Sequence, residues 1–120
     1  MESLFKDATK QQLKAALDVC AFRHRLILNN IANADTPGYK RKVLQFEEAL
    51  REAEEKRASG AELERFVTED QSPGRADGNN VSIDIESALL AENSMTYEAI
   101  ITMISLRGRW LGVVLGEGGS

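Results

Sequence analysis

Cysteine, histidine, proline and aromatic residues are all scarce in this 120-residue chain. A single cysteine, Cys20, excludes an internal disulfide and a cysteine-rich metal centre. A single histidine, His24, removes any Cys/His zinc cluster and leaves little for a histidine-based triad. A basic excess is also missing: the net charge is −4, which argues against a dedicated nucleic-acid binder. The most apolar stretch, 99–116, is interrupted by Arg107 and Arg109 and does not read as a membrane span. The first residues lack a basic segment followed by an apolar core, so no secretory signal is expected. On these grounds alone the protein reads as cytoplasmic. No Ser/His/Asp set or phosphate loop is visible, and the acid pairs Glu47/Glu48 and Glu54/Glu55 sit in a segment that reads as a solvated helix. Neither an enzyme, a cofactor nor a small-molecule substrate is expected.

What the chain does have is two long heptad-like seams, one at each end. The first runs Leu13, Leu17, Cys20, His24, Ile27, Ile31, Ala34, in steps of four and three, and predicts a helix starting near Ser3 or Asp7. Cys20 and His24 on this seam read as packing residues. The second runs Ile85, Leu89, Glu92, Thr96, Ala99, Met103, Leu106, Trp110, Val113, after a start near Ser82, which can cap. Glu92 and Thr96 are polar interruptions that need partners if buried. Gly108, Gly112 and Gly116 recur every four residues, either as a fraying end or as a face for close helix approach. Between the seams, 46–57 reads as a solvated acidic helix with a thin apolar face. Residues 68–80, with Pro73-Gly74 and Asp77-Gly78, read as a mobile loop.

The expected fold is therefore mainly α: long terminal helices forming an elongated coiled-coil rod, with a short acidic helix and a loop between them. Residues 1–40 and 81–116 would make the coiled-coil domain and 41–80 a partly flexible middle segment. Two helices cannot cover each other's seams completely, and the chain is poorly buried for its length, which argues for assembly with other copies. The interface candidates are Leu13, Leu17, Ile27, Ile31, Ile85, Leu89, Met103, Leu106 and Trp110.

The first helix ends in NNIANADTPGYKRK, residues 29–42. Asn29, Asn30 and Asn33 are poor helix formers whose amides are free to bond elsewhere. Pro37 disfavours helix at Thr36, and Pro37-Gly38 suits the centre of a type II turn. Lys40, Arg41 and Lys42 put positive charge beyond the negative end of the helix dipole. Taken alone, the turn reads as a helix stop followed by a solvated basic loop. The assembly motif is taken as Asn29, Asn30, Asn33, Asp35, Thr36, Pro37, Gly38 and Tyr39, with the amides fixing the helix end and Tyr39 packing under the turn. The competing uses are nucleic-acid binding through GYKRK with Tyr39 as a stacking platform, and a membrane-surface helix. The first has only a short basic patch on an acidic chain; the second lacks an aromatic-rich face.

The wording of this stretch closely resembles the N-terminal signature of the bacterial flagellar rod, hook and hook-associated protein family, and within it the short proximal-rod members. DGNNVSIDIE, 77–86, and AENSMTYEA, 91–99, resemble the segments that open the C-terminal helix in those members. The middle, 46–75, carries no match, and Ser82 stands where that pattern favours an acid. The resemblance implies a structural protein that polymerises helically into the periplasm-spanning rod of the basal body, its terminal helices forming an inner layer around the export channel. Implied partners are other copies, other rod proteins, the membrane-ring protein, the rod adaptor subunit and the flagellar export gate. Implied export is through the flagellar type III apparatus without a cleaved signal peptide, which reverses the cytoplasmic reading. The alternative is another coiled-coil axial or adaptor protein of the same basal body.

Overall fold

A computed structural model describes residues 9–56 and 60–114, with 107–114 described by backbone alone. Helix α1 spans Lys10–Ala32. It opens on a capping box: Gln12 N donates to Thr9 Oγ1 at 3.1 Å, and Thr9 N donates to Gln12 Oε1 at 2.8 Å. The predicted starts, Ser3 and Asp7, lie outside the described residues. The T-x-x-Q text of 9–12 is the cap signal that the reading from Ser3 passed over.

Strand β1 (Lys42–Leu44) pairs antiparallel with β2 (Val67–Glu69), Val43 opposite Thr68. Between them lie helix α2 (Phe46–Lys56), a single turn α3 (Gly60–Leu63) and a 3-10 turn (Glu64–Phe66). Helix α4, Ile83–Val114, returns along α1. Ile85 N donates to Ser82 Oγ at 3.3 Å, so Ser82 caps as expected. The two long helices are antiparallel. Asn30 reaches Glu86, Cys20 and Arg23 reach Asn93, and Leu13 and Ala16 share a cluster with Ile100. The molecule is elongated, 63 × 27 × 22 Å.

Helix α1 is the centre of the structure because it is apolar on two sides. Leu13, Ala16 and Cys20 face α4. Ala15, Val19, Phe22 and Leu26 form a second buried line, which receives Leu44, Ala49, Ala53 and Leu63 of the middle segment. The middle helix is therefore not the solvated element expected. Its glutamates are its outer face, and its alanines Ala49 and Ala53 are buried. Small residues let two helix backbones approach closely, which a count of large apolar residues does not register.

The seam of α4 is also corrected. Ile85 and Leu106 are 60% and 52% exposed, and Glu92 and Ala99 are exposed. The inward line is Glu86, Asn93 and Ile100, one heptad apart, flanked by half-buried Leu89, Thr96 and Met103. Half of the expected seam is in phase and half lies one residue off. The cause is chemical: the inward positions are occupied by a carboxylate and an amide, each supplied with partners by α1 and β1. On α1, Leu13 and Ile27 are buried and Leu17 and Ile31 half-buried. Trp110, Val113 and the spaced glycines fall outside the described side chains.

Candidate assembly site

The helix stop at 33–39 is two consecutive turns. Asn33 caps α1, its N–H bonded back to Asn29 O and Asn30 O, and Thr36 N donates to Asn33 O at 3.1 Å. Tyr39 N then donates to Thr36 O at 3.2 Å across Pro37-Gly38, with Gly38 at φ 75°, the geometry a type II turn requires. Asn33 Nδ2 donates to Asn29 O at 2.8 Å, and Thr36 Oγ1 donates to Asn33 Oδ1 at 3.1 Å. Asp35 and Pro37 are exposed.

Asn30 is fully buried and uses its whole amide. Its Oδ1 accepts from Lys42 N at 2.9 Å and from the Tyr39 hydroxyl at 3.1 Å. Its Nδ2 donates to Lys42 O at 2.9 Å and to Glu86 Oε2 at 3.4 Å. A side chain thus bonds both backbone groups of Lys42, as a neighbouring strand would, and joins the end of α1 to the start of β1 and of α4. Asn29 Nδ2 donates to the Tyr39 hydroxyl at 3.1 Å, so that ring tip sits between two of the three asparagines. Burial raises the Tyr39 pKa above its ordinary value, and the Asn29 bond opposes that.

Around Asn30 lies a chain of charge. Arg41 Nε donates to the fully buried Glu86 at 2.6 Å, and Arg41 Nη1 to Asp70 at 3.0 Å. Desolvation pulls the Arg41 pKa down, but the bonds to Glu86 and Asp70 outweigh it and raise it. Asp70 also accepts from the Ser72 hydroxyl at 2.5 Å and from Ser72 N at 2.8 Å. These Ser72 bonds first, and Arg41 after them, lower the Asp70 pKa to about 2.

The loop expected to be mobile is tied into this corner. Asn79, fully buried, donates to Asn33 O at 2.9 Å and Thr36 O at 2.8 Å. Arg75 donates to Ala34 O and, at 2.8 Å, to Val81 O. Asn80 accepts from Arg41 N at 2.7 Å and donates to Asp70 O at 2.7 Å. The carbonyls of Asn33 and Ala34, at and just past the cap of α1, are met by an amide and a guanidinium more than forty positions away, while the last helical carbonyls, of Asn29, Asn30 and Ile31, accept from Asn33 and Ala34. Gly74 makes the fold of the loop possible: a Cβ there would stand 2.2 Å from Asn79 O.

Sequence reasoning placed Asn30, Asn33, Thr36, Gly38 and Tyr39 in this corner. It missed Arg41, Asp70, Arg75, Asn79 and Glu86 as its other half. For Asp70 and Arg75 the sequence offers only the polarity of the loop, which also fits plain solvation, and for Asn79 and Glu86 only their place in the 77–86 segment, which does not say what they bond. Lower down, Asn93 repeats the device. It is buried, accepts from Arg23 Nε at 2.7 Å and donates to Cys20 O at 2.9 Å. The Cys20 thiol is buried and its pKa is raised by desolvation, with Arg23 opposing. Among the described residues, no group of His, Cys, Asp and Glu could hold a metal ion, and no helix is long and apolar enough to cross a membrane.

The arrangement bonds one segment of the chain to another: the end of α1, the 68–80 loop, β1 and the start of α4. Comparison with known proteins agrees in kind. A family model described as flagella basal body rod protein matches residues 26–40, the end of α1 and the double turn. The chain is 31% identical to the flagellar basal body rod protein FlgB of Bacillus subtilis, over 97% of this chain and 98% of that one. It is 32% identical to the FlgB of Borreliella burgdorferi over 82% of this chain and 89% of the relative. The FlgB of Borrelia hermsii is 37% identical over 68% of this chain and 76% of that protein.

Proposed function

The chain belongs to the FlgB family of flagellar basal body rod proteins, and on that premise we propose that it polymerises through its terminal helices into the proximal part of the axial drive shaft, around the export channel. It is a structural component of the basal body rod, not an enzyme. Its partners are other copies of itself and other rod proteins. At the base of the rod it would meet the membrane-ring protein, the rod adaptor subunit and the export gate. It would leave the cell by the flagellar type III apparatus, without a cleaved signal peptide. In this reading 1–40 and 81–116 form the axial core, with 41–80 braced against it.

The observation that carries the proposal is the outer face of α4. Ile85, Met95 and Leu106 stand 60%, 69% and 52% exposed on one side of a helix whose other side is already packed on α1. A single subunit leaves that line uncovered, and a shaft built of helices covers it with neighbours. The polar corner supports the same reading. Asn30, Glu86, Arg41 and Asn79 lock the helix end, the loop and the start of α4 into one rigid joint, as a torque-bearing subunit needs.

The test is an in-frame deletion in the source bacterium, scored for swimming and for rods on isolated basal bodies by electron microscopy. The expected result is rings without a rod and no swimming, with both restored by the intact gene. Normal rods in the deletion strain would sink the proposal.

A further inference from the structure

Two helix faces outside the packed core keep a heptad rhythm. On α4, Asp84, Ala88, Ala91, Met95 and Glu98 follow in steps of four and three, and all five are exposed. They lie opposite Glu86, Asn93 and Ile100, the line packed on α1. On α1, Gln11, Lys14, Asp18, Ala21 and Arg25 follow in steps of three and four. Four of them are exposed and Ala21 is half-buried. This is a third side of α1, apart from the lines that receive α4 and α2.

The two faces differ in charge. From Ile83 to Leu106, α4 carries no lysine or arginine. Glu86 is buried, and Glu92 lines the cleft that holds Arg23 and Lys42, so Asp84 and Glu98 are the charges of the outward face. The α1 face carries Lys14 and Arg25 against Asp18, with Lys10 beside them. Glu64 shares a cleft with Arg25, where Lys42 offsets its charge. Among the described residues, Lys14, Asp18, Arg25, Asp84 and Glu98 form no ion pair within the chain.

We propose that the outward face of α4 in one copy lies antiparallel along this face of α1 in a second copy, with Asp84 meeting Arg25. The proposal rests on the rod reading and names the register by which one subunit seats on the next. Taken from opposite ends, the two faces have the same steps, so five layers match. Gln11 meets Glu98, Lys14 meets Met95, Asp18 meets Ala91, Ala21 meets Ala88, and Arg25 meets Asp84. The alanine pair lets the backbones approach closely. The stem of Lys14 covers Met95, which leaves its ammonium free to reach Glu98 one layer away. The sense follows from the shaft. Copies stacked along it point the same way, and α1 and α4 are antiparallel within each, so α1 of one meets α4 of the next antiparallel. A chain's own α1 already occupies the other side of its α4, so the match needs a second copy. The faces are different surfaces, so the contact is head-to-tail and repeats into an open helical filament when the rotation does not close.

The test is a charge exchange in the deletion strain, with the full chain expressed from a plasmid. Arg25→Asp alone and Asp84→Arg alone are each expected to lose rods and swimming, and the double variant to regain both. Damage to the fold would add in the double variant, whereas a broken contact is restored. Ala21→Cys paired with Ala88→Cys, treated with a thiol-specific bifunctional crosslinker in isolated basal bodies, is expected to give dimers of this chain. The parent chain, whose Cys20 is buried, is expected to give none. Singles that assemble normally, a double that stays without rods, or no dimer from the cysteine pair overturns the contact. A crosslinked product containing a different polypeptide overturns the choice of a second copy. The rod reading is tested separately, by the rods of the deletion strain itself.

Discussion

At the scale of single residues, the three asparagines of the motif are not equivalent. Asn30 is fully buried and its replacement by alanine strands Lys42 N and Lys42 O, and takes one partner each from Glu86 and the Tyr39 hydroxyl. Each buried polar group left without a partner costs about 1–3 kcal/mol, so Asn30→Ala is expected to lower unfolding free energy by about 3 kcal/mol or more in a urea titration. The side chain of Asn33 bonds only its own turn and the residue is partly exposed, so Asn33→Ala is expected to cost about 1 kcal/mol. Equal losses for the two would contradict the roles assigned here. Asp70 gives a pH dependence of known sign. Its pKa in the folded chain, about 2, lies below the ~3.9 of an unfolded aspartate. Its contribution is therefore complete above about pH 4 and is lost as the pH falls through about 2. The urea midpoint of the native chain should fall more steeply between pH 4 and pH 2 than that of Asp70→Asn, and matching slopes would refute the assignment.

At the scale of elements, the contact between α1 and α2 depends on small residues. Ala49 is wholly buried against α1, and Ala49→Leu is expected to push the helices apart at a cost of about 1–3 kcal/mol, read as a lower melting temperature. Glu48→Leu, one position away on the exposed side, should leave the melt nearly unchanged. This pair also explains what the sequence could reveal. The long helices, the helix stop and the Pro37-Gly38 turn were legible because each has a local cause: periodicity, poor helix formers, a fixed backbone angle. The phase of α4 was not, because hydrophobicity alone passes over Glu86 and Asn93, whose burial depends on Arg41, Asn30, Arg23 and the Cys20 carbonyl far away in the chain. The seat of α2 is not legible from one seam, because Ala15, Val19, Phe22 and Leu26 form a second apolar line on α1 beside the heptad one. Strands of three residues offer too short a pattern to read, and the 68–80 loop is ordered by partners that local text does not contain.

At the scale of the whole molecule, the chain buries its polar register contacts beside two apolar clusters and leaves a further apolar line on the outside of α4. The antiparallel helix pair is fixed in register by Asn30 with Glu86 and by Arg23 and Cys20 with Asn93, contacts that a slip of one residue would leave unpaired. Its outer surface meanwhile carries Ile85, Met95 and Leu106 at more than half exposure. Were this line structural, polar substitution along it would destabilise the subunit; were it an interface, the subunit would not change and only assembly would fail. The contacts favour the second. Ile85→Glu with Leu106→Glu removes no intramolecular packing of consequence, and glutamate is a good helix former, so each change should stay within about 0.5 kcal/mol of the native stability. The same double variant, expressed in the deletion strain, should be made and folded yet give no rods, because two like charges per subunit would be buried against a neighbour without a partner. Equal circular-dichroism melts together with absent rods is the expected pair of results. A lowered melt would return the stripe to the fold, and intact rods would move the subunit contacts to another face of the helix.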